Sequence, residues 1–211
     1  MKRLFPWLIA VLVVAGLCWA FPPFHIRSLK QVKADIVGST FNPTNFVEQF
    51  WSSKLQPATD QAADAAKVLA AIAANPEKVG EQFGRTVGIS SSYFLFLRGT
   101  GRVVSADADS IGLSLQAQGT NVDIAVPLGP VFGNAVRDGT GLLDSSSYPN
   151  AQEFNDISAG LNHLVETQVL PELQGIAAIG KRVRFVGCVE VADEDSDLKP
   201  LKLVPISVKL E

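Results

Sequence analysis

The pattern of apolar and polar residues changes several times along the chain. An uncharged apolar run comes first, apolar residues at helical spacing follow, and alternating residues typical of strands occupy the remainder. These changes predict a signal anchor or signal peptide at 1–26, a linker at 27–41, a helical subdomain at 42–92 and a β domain at 93–211. A chain of 211 residues has room for one domain of ordinary size and a tether.

The helical subdomain contains three start signals. Asn42 precedes a proline, as a capping residue does, and apolar residues then recur at helical spacing. Pro57 opens an alanine-rich run at 58–74, which favours a second helix. Asn75 repeats the pairing of a cap with a proline before a shorter helix, which we expect to end near Gly84.

The β domain contains five strand-like segments and one helix. The strand-like segments lie at 93–106, 111–115, 122–126, 183–191 and 201–210. Asn150 with Glu153 three residues later resembles a capping box and predicts a helix between the third and fourth strands. Pro171 predicts the end of that helix.

This order of elements predicts a fold. Three strands, a helix and two strands form the order of a five-stranded OB barrel. Gly99 and Gly101 predict a bulge or bend that lets the first strand coil, and Pro205 predicts an edge position or a bulge. The predicted class is therefore mainly β with helices (α+β), an OB-like β-β-β-α-β-β barrel preceded by a helical segment and one membrane-spanning or signal helix. An open antiparallel sheet covered by helices is the alternative.

The amino-terminal apolar run has the length of a membrane span. Residues 4–24 would extend roughly 31 Å as a helix. Lys2 and Arg3 precede the run, as in an export signal. An uncleaved anchor in the inner membrane, with the body on the periplasmic side, fits best; cleavage after Ala20 is the alternative. Lipidation of Cys18 requires a small residue directly before it, and a leucine stands there.

Composition indicates a folded body that repels nucleic acid. Hydrophobic residues make up 47% of the chain and charged residues 18%, which is enough for a buried core. The net charge is −3, but Lys2, Arg3 and Arg27 lie in or beside the apolar run. Beyond them, 15 basic and 21 acidic side chains give the body a charge of −6. We therefore expect no nucleic-acid partner.

Residue patterns for catalysis and metal binding are missing from the sequence. The chain has two histidines, His25 and His163, and contains neither a phosphate-binding loop nor a dinucleotide fingerprint. Cys188 would be a buried core residue, and the acidic run at 190–197 lacks the turn glycine and final Glu of a calcium loop. We predict no catalytic residue, metal or cofactor. The alternative is an envelope carbohydrate hydrolase with converging carboxylates; oligonucleotide binding is less favoured.

The segment from 128 to 138 is the most unusual in composition. Arg137 beside Asp138 offers a donor fork and an acceptor, which together suit capture of a carboxylate, a phosphate or a sugar hydroxyl. We predict that both residues line a ligand- or partner-binding site with Asn162, and that Gly129 and Gly133 shape this site. Replacing Arg137 by Ala should then abolish capture without loss of stability. In the alternative interpretation, the segment is a structural crossover in which Arg137 pairs with an acid on a neighbouring loop and the glycines serve turns.

Several motifs in and after this segment resemble a known family. These are Gly129-Pro-Val131, Ala135-Val-Arg-Asp138, Tyr148-Pro-Asn150, Phe154-Asn-Asp-Ile157 and Leu161-Asn162. They are similar to those of a family of predicted bacterial periplasmic lipoproteins, domain of unknown function 2291. The resemblance implies an OB-like fold and export. It also implies genes often located beside sugar ABC transporters, so that a transporter component or a small carbohydrate is the implied partner of a non-enzymatic accessory protein.

Overall fold

The computed structural model describes residues 42–144, 147–148 and 150–211. These residues belong to one compact unit. The anchor predicted at 4–24, the linker at 27–41 and Cys18 lie outside them. Within the described part, no helix has the length and apolar character needed to cross a membrane.

Short helices and turns make up the first part of the described chain and recur between the strands. The α-helices are α1 (Pro43–Phe50), α2 (Ala65–Ala74), α3 (Val79–Phe83), α4 (Ala135–Gly139), α5 (Ala151–Leu164), α6 (Leu170–Ile176) and α7 (Glu194–Asp197). Turns of π-helix lie at Trp51–Leu55 and Val165–Val169, and turns of 3-10 helix at Pro57–Gln61 and Pro76–Lys78.

Within the described residues, eight strands form one sheet. They are β1 (Ala63–Asp64), β2 (Gly84–Arg85), β3 (Tyr93–Ala106), β4 (Ser110–Ser114), β5 (Ile124–Pro127), β6 (Arg182–Val191), β7 (Leu201–Lys202) and β8 (Val204–Leu210). The main path runs β7-β5-β4-β3-β6-β8, and the short strands β1 and β2 both pair with β3.

The last stretch of chain joins the two ends of this sheet. Only Leu203 separates β7 from β8. Strand β7 pairs in parallel with β5, whereas β8 pairs antiparallel with β6. The sheet therefore curls, with residues 201–210 lying between its two edges, and α5 sits in sequence between β5 and β6. This is the connectivity that the sequence predicts for an OB-like barrel, and the α+β fold class is confirmed.

The irregularities of the sheet are partly as predicted. On β6, the adjacent residues Val186 and Gly187 pair with Ser207 and Pro205 of β8. Ile206 is therefore the extra residue of a bulge beside the proline, as expected. In β3, however, the register shifts between residues 103 and 105 and not at the glycines. The glycines instead allow neighbouring residues to pack closely against β3, because a Cβ atom on Gly101 would lie 2.8 Å from the Cβ of Leu113.

Two helix boundaries differ from the prediction. The helix expected at 58–74 begins only at Ala65, because the carboxylate of Asp64 accepts the Ala66 and Lys67 N–H groups at 2.8 and 3.3 Å and caps α2 there. Pro171 does not end the helical segment. It lies in the first turn of α6, after a π-helical turn, where a missing N–H costs little.

The core lies inside the curled sheet and beneath the helices. Its largest fully buried side chains include Leu95, Leu97, Ile157, Leu161 and Phe185. Helices α1 and α5 pack closely, since a Cβ atom on Gly160 of α5 would lie 2.9 Å from Cγ2 of Val47. Burial raises the pKa of the Cys188 thiol, in agreement with its role as a core residue.

Candidate functional site

The two charged residues predicted for the site form a buried ion pair with each other. Arg137 and Asp138 are adjacent in α4 and are only 6% and 7% exposed. The guanidinium Nε donates to one carboxylate oxygen at 2.7 Å, and Nη2 donates to the other at 2.9 Å. Such a two-pronged pair satisfies both oxygens of the acid. Both carboxylate oxygens of Asp138 therefore already accept hydrogen bonds within the protein.

Arg137 also connects α4 to α5. Its Nη1 lies 3.3 Å from the carbonyl oxygen of Phe154 and 3.3 Å from Oδ1 of Asn155. The guanidinium carbon stands 3.9 Å from the centre of the Phe154 ring. All three nitrogens thus have partners within the protein. This geometry favours the structural interpretation of Arg137 over direct capture of a ligand.

Asn162, the third predicted site residue, holds a carbonyl group of the preceding loop. Its Nδ2 donates to the oxygen of Gly133 at 3.0 Å, and Oγ of Ser158 lies 2.9 Å from the same oxygen. Both side chains are buried, at 8% and 5% exposure. Gly133 itself has φ of +82°, a conformation that favours glycine. Two polar side chains of α5 therefore hold the carbonyl of Gly133, whose backbone is in the left-handed region.

The loop from 128 to 134, which we call the clamped loop, is also anchored before Gly133. The Val131 N–H donates to a carboxylate oxygen of Glu166 at 2.6 Å. Between these two anchors, the side chain of Phe132 is 82% exposed. Gly129 faces open space, because a Cβ atom there would meet nothing within 4 Å. Two of the predicted site residues, Gly129 and Gly133, thus lie in the same loop as an exposed aromatic side chain that the sequence did not single out.

An acidic residue of the sheet lies beside the clamped loop. A Cβ atom on Gly133 would lie 3.3 Å from Oε2 of Glu190 on β6. Desolvation raises the pKa of the Glu190 carboxyl, and the negative charges of Asp138 and Asp197 raise it further. Asp138 is not free to act with Glu190 as an acid–base pair, since Arg137 occupies both of its oxygens. Across the described residues, no cluster of acids, histidines and cysteines suits a metal ion.

Sequence comparison identifies the family. A model of predicted periplasmic lipoproteins, DUF2291, matches residues 8–209, nearly the whole chain. The protein belongs to the DUF2291 family. The resemblance found in the motifs is therefore confirmed, and the family description supports a periplasmic location. No curated protein matches this DUF2291 chain in sequence.

A solved structure supports the fold of this DUF2291 protein. The crystal structure of an OB-fold protein from Thermotoga maritima matches with a TM-score of 0.72. The match covers 81% of this chain and 99% of the other chain at 24% identity. At that identity, the likeness shows the OB fold alone.

The motifs that resemble those of the DUF2291 family mainly supply the side chains that join α4, α5 and the clamped loop. We call this set of side chains the clamp: Arg137, Asp138, Phe154, Ser158 and Asn162. Oδ1 of Asn150 accepts the Glu153 N–H at 2.8 Å and so caps α5, as predicted. The Tyr148 ring lies 5.2 Å from the ring of Phe154, which carries Arg137 on its face. These residues therefore set the position of α5, and α5 sets the position of the clamped loop.

Proposed function

We propose that this DUF2291 protein is a non-enzymatic binding domain that docks a partner protein through Phe132. In this proposal it acts from the periplasmic face of the inner membrane, held there by residues 4–24, as an accessory of solute uptake by an ABC transporter. The exposed Phe132 on the clamped loop is the observation that carries the proposal.

A single exposed apolar residue is ordinary on protein surfaces, but Phe132 differs because the backbone is anchored on both sides of it. Glu166 anchors the residue before it, and Ser158 and Asn162 anchor the residue after it. The loop therefore holds the Phe132 ring in solvent, where its apolar surface stays in contact with water. That surface gains the free energy of burial only when a partner covers it. A loop backbone that is already ordered loses little conformational entropy on binding, and aromatic side chains are typical of the residues that dominate protein interfaces.

The location and the transport role have separate support. The description of the family as periplasmic lipoproteins supports the location. The role in solute uptake rests on the resemblance described above, which implies genes located beside those of sugar ABC transporters. An accessory protein of this kind needs a partner-binding surface, and it needs no catalytic group.

Affinity purification from detergent-solubilised membranes tests the docking role. The full chain, a Phe132→Ala variant and an Ile179→Ala variant should be compared at equal loading. Ile179 is a matched control because it is 70% exposed and lies in the separate loop before β6. Since aromatic anchors commonly contribute about 2 kcal/mol or more, Phe132→Ala should reduce partner recovery about thirtyfold, whereas Ile179→Ala should not.

A transporter subunit among the recovered proteins supports the role in uptake. Equal recovery of the partner by the wild-type protein and Phe132→Ala would contradict docking through this residue. Thermal unfolding of the variant should match that of the wild type, because an exposed ring contributes little to the folded state.

A further inference from the structure

A polar groove crosses the outer face of the sheet on strands β3, β6 and β8. Its volume is about 510 Å³. Three basic side chains, Arg98, Arg184 and Lys209, lie along it with the hydroxyl groups of Thr59, Thr100 and Ser207. None of these residues belongs to the clamp or to the clamped loop, so the groove requires its own explanation.

The register of the strands places two of the cations side by side. Arg184 of β6 pairs directly with Lys209 of β8 and, on its other side, with Thr100 of β3. Directly paired residues point to the same face, with Cβ atoms about 4.5–5.5 Å apart. Like charges in that position destabilise a sheet. An arginine opposite a lysine therefore has a cost unless a negative charge joins them.

The protein does not supply that negative charge in the part of the chain that the structure describes. No acidic side chain there forms an ion pair with Arg184 or Lys209. The acids of the groove have other partners, because Asp60 lies 3.6 Å from Arg98 and Asp64 caps α2. Within the described part of the chain, two cations on one wall of the groove thus have no ion-pair partner.

The pairing of Arg184 with Lys209 contrasts with the negative net charge of the domain. Residues 42–211 carry 13 basic and 20 acidic side chains, so the average field repels anions. An acidic surface offers many positions where a lysine could find a partner. Placing Lys209 opposite Arg184 instead concentrates positive charge beside hydroxyl donors.

We infer that this groove is a binding site for a phosphate monoester. A phosphate monoester carries a charge of about −1.5 to −2 at neutral pH and three acceptor oxygens. That charge matches the two uncompensated cations, whereas a carboxylate would neutralise only one of them. Arg184 presents a planar donor fork, Lys209 a point charge, and Thr100 and Ser207 supply neutral donors. The site goes beyond the proposed docking function and shares no residue with it.

Titration calorimetry on the purified full chain tests the site with inorganic phosphate, glycerol 3-phosphate and acetate. We expect saturable binding of both phosphates and at least tenfold weaker binding of acetate. The double variant Arg184→Gln, Lys209→Gln should lose at least about tenfold in phosphate affinity, since each lost contact is a hydrogen bond to a charged group. Lys54→Gln is the matched control, because Lys54 is exposed and lies outside the groove.

The same variant separates a binding role from a structural one. If the pair only serves the fold, the double variant should unfold at a lower temperature; if it binds an anion, the variant should be as stable as the wild type without phosphate or slightly more stable. Failure of both phosphates to saturate the wild type would overturn the inference, as would acetate binding as tightly as phosphate. Binding to phosphatidylglycerol vesicles, with no binding of soluble phosphate, would replace it by attachment to a lipid surface.

Discussion

The clamp and the groove both contain an arginine beside other polar groups, yet the two arginines have opposite surroundings. Arg137 is buried, and each of its nitrogens has a partner in the protein. Arg184 is exposed, and its nearest charged neighbour across the sheet is another cation, Lys209. The comparison shows that residue type alone does not separate a structural arginine from a binding one. What distinguishes the two arginines is whether their guanidinium N–H groups already have hydrogen-bond partners within the protein.

The largest effect should come from breaking the clamp. Removing one partner of a buried ion pair leaves an unpaired charge, so Arg137→Ala should lower the free energy of unfolding by about 3–5 kcal/mol. Equilibrium unfolding in urea measures this, with Arg184→Ala as the control, for which we expect a change within about 0.5 kcal/mol. A stable Arg137→Ala protein that has lost its partner would restore the binding role that the sequence suggests for this residue.

An intermediate effect is expected at the left-handed residue of the clamped loop. Gly133→Ala places a Cβ atom on a backbone with φ of +82°, which costs about 1–2 kcal/mol. Gly129→Ala is the matched control, because this glycine has no positive φ and faces open space. Urea unfolding of the two variants should therefore differ. Equal stabilities would show that the loop relaxes and that Phe132 is not held as described.

The smallest effect should occur in the groove, and its sign should be favourable. Lys209→Glu replaces a like-charge pair by an opposite-charge pair with Arg184, so stability should rise by about 0.2–1 kcal/mol. Lys54→Glu, at an exposed position outside the groove, controls for the change in net charge. The difference between the two variants should shrink in high salt, since salt screens exposed charges. A loss of stability in Lys209→Glu would mean that the lysine has a structural role.

The fold could be predicted because its signals are local. Alternating apolar residues, the cap at Asn150 and the bulge at Pro205 each act through neighbours in sequence, and the order of strands and helix then determines the topology. The sequence predicts the start of α2 too early, because its alanines favour helix and the pattern does not mark Asp64 as the cap. It predicts a helix end at Pro171, because the π-helical turn before this residue has no clear sequence signal.

The site was only partly predictable, for a physical reason. The sequence singles out Arg137, Asp138 and Asn162, but their roles depend on which hydrogen-bond partners each finds. Arg137 donates to Asp138 within α4 and to the Phe154 carbonyl on α5. Asn162, itself on α5, donates to the Gly133 carbonyl of the clamped loop. Phe132 carried no signal of its own, because exposure of an aromatic side chain follows from anchors that are distant in sequence. The Arg184–Lys209 pair depends on strand register, which single-sequence patterns do not specify.

Residues 201–210 pair with both edges of the curled sheet, β7 with β5 and β8 with β6. Until that stretch has emerged, β5 and β6 each present a row of unpaired backbone groups, the kind of edge that recruits strands from other molecules. Truncation near residue 200 would therefore leave two unpaired, aggregation-prone strand edges exposed. Closure of the barrel must wait until residues 201–210 have been synthesised.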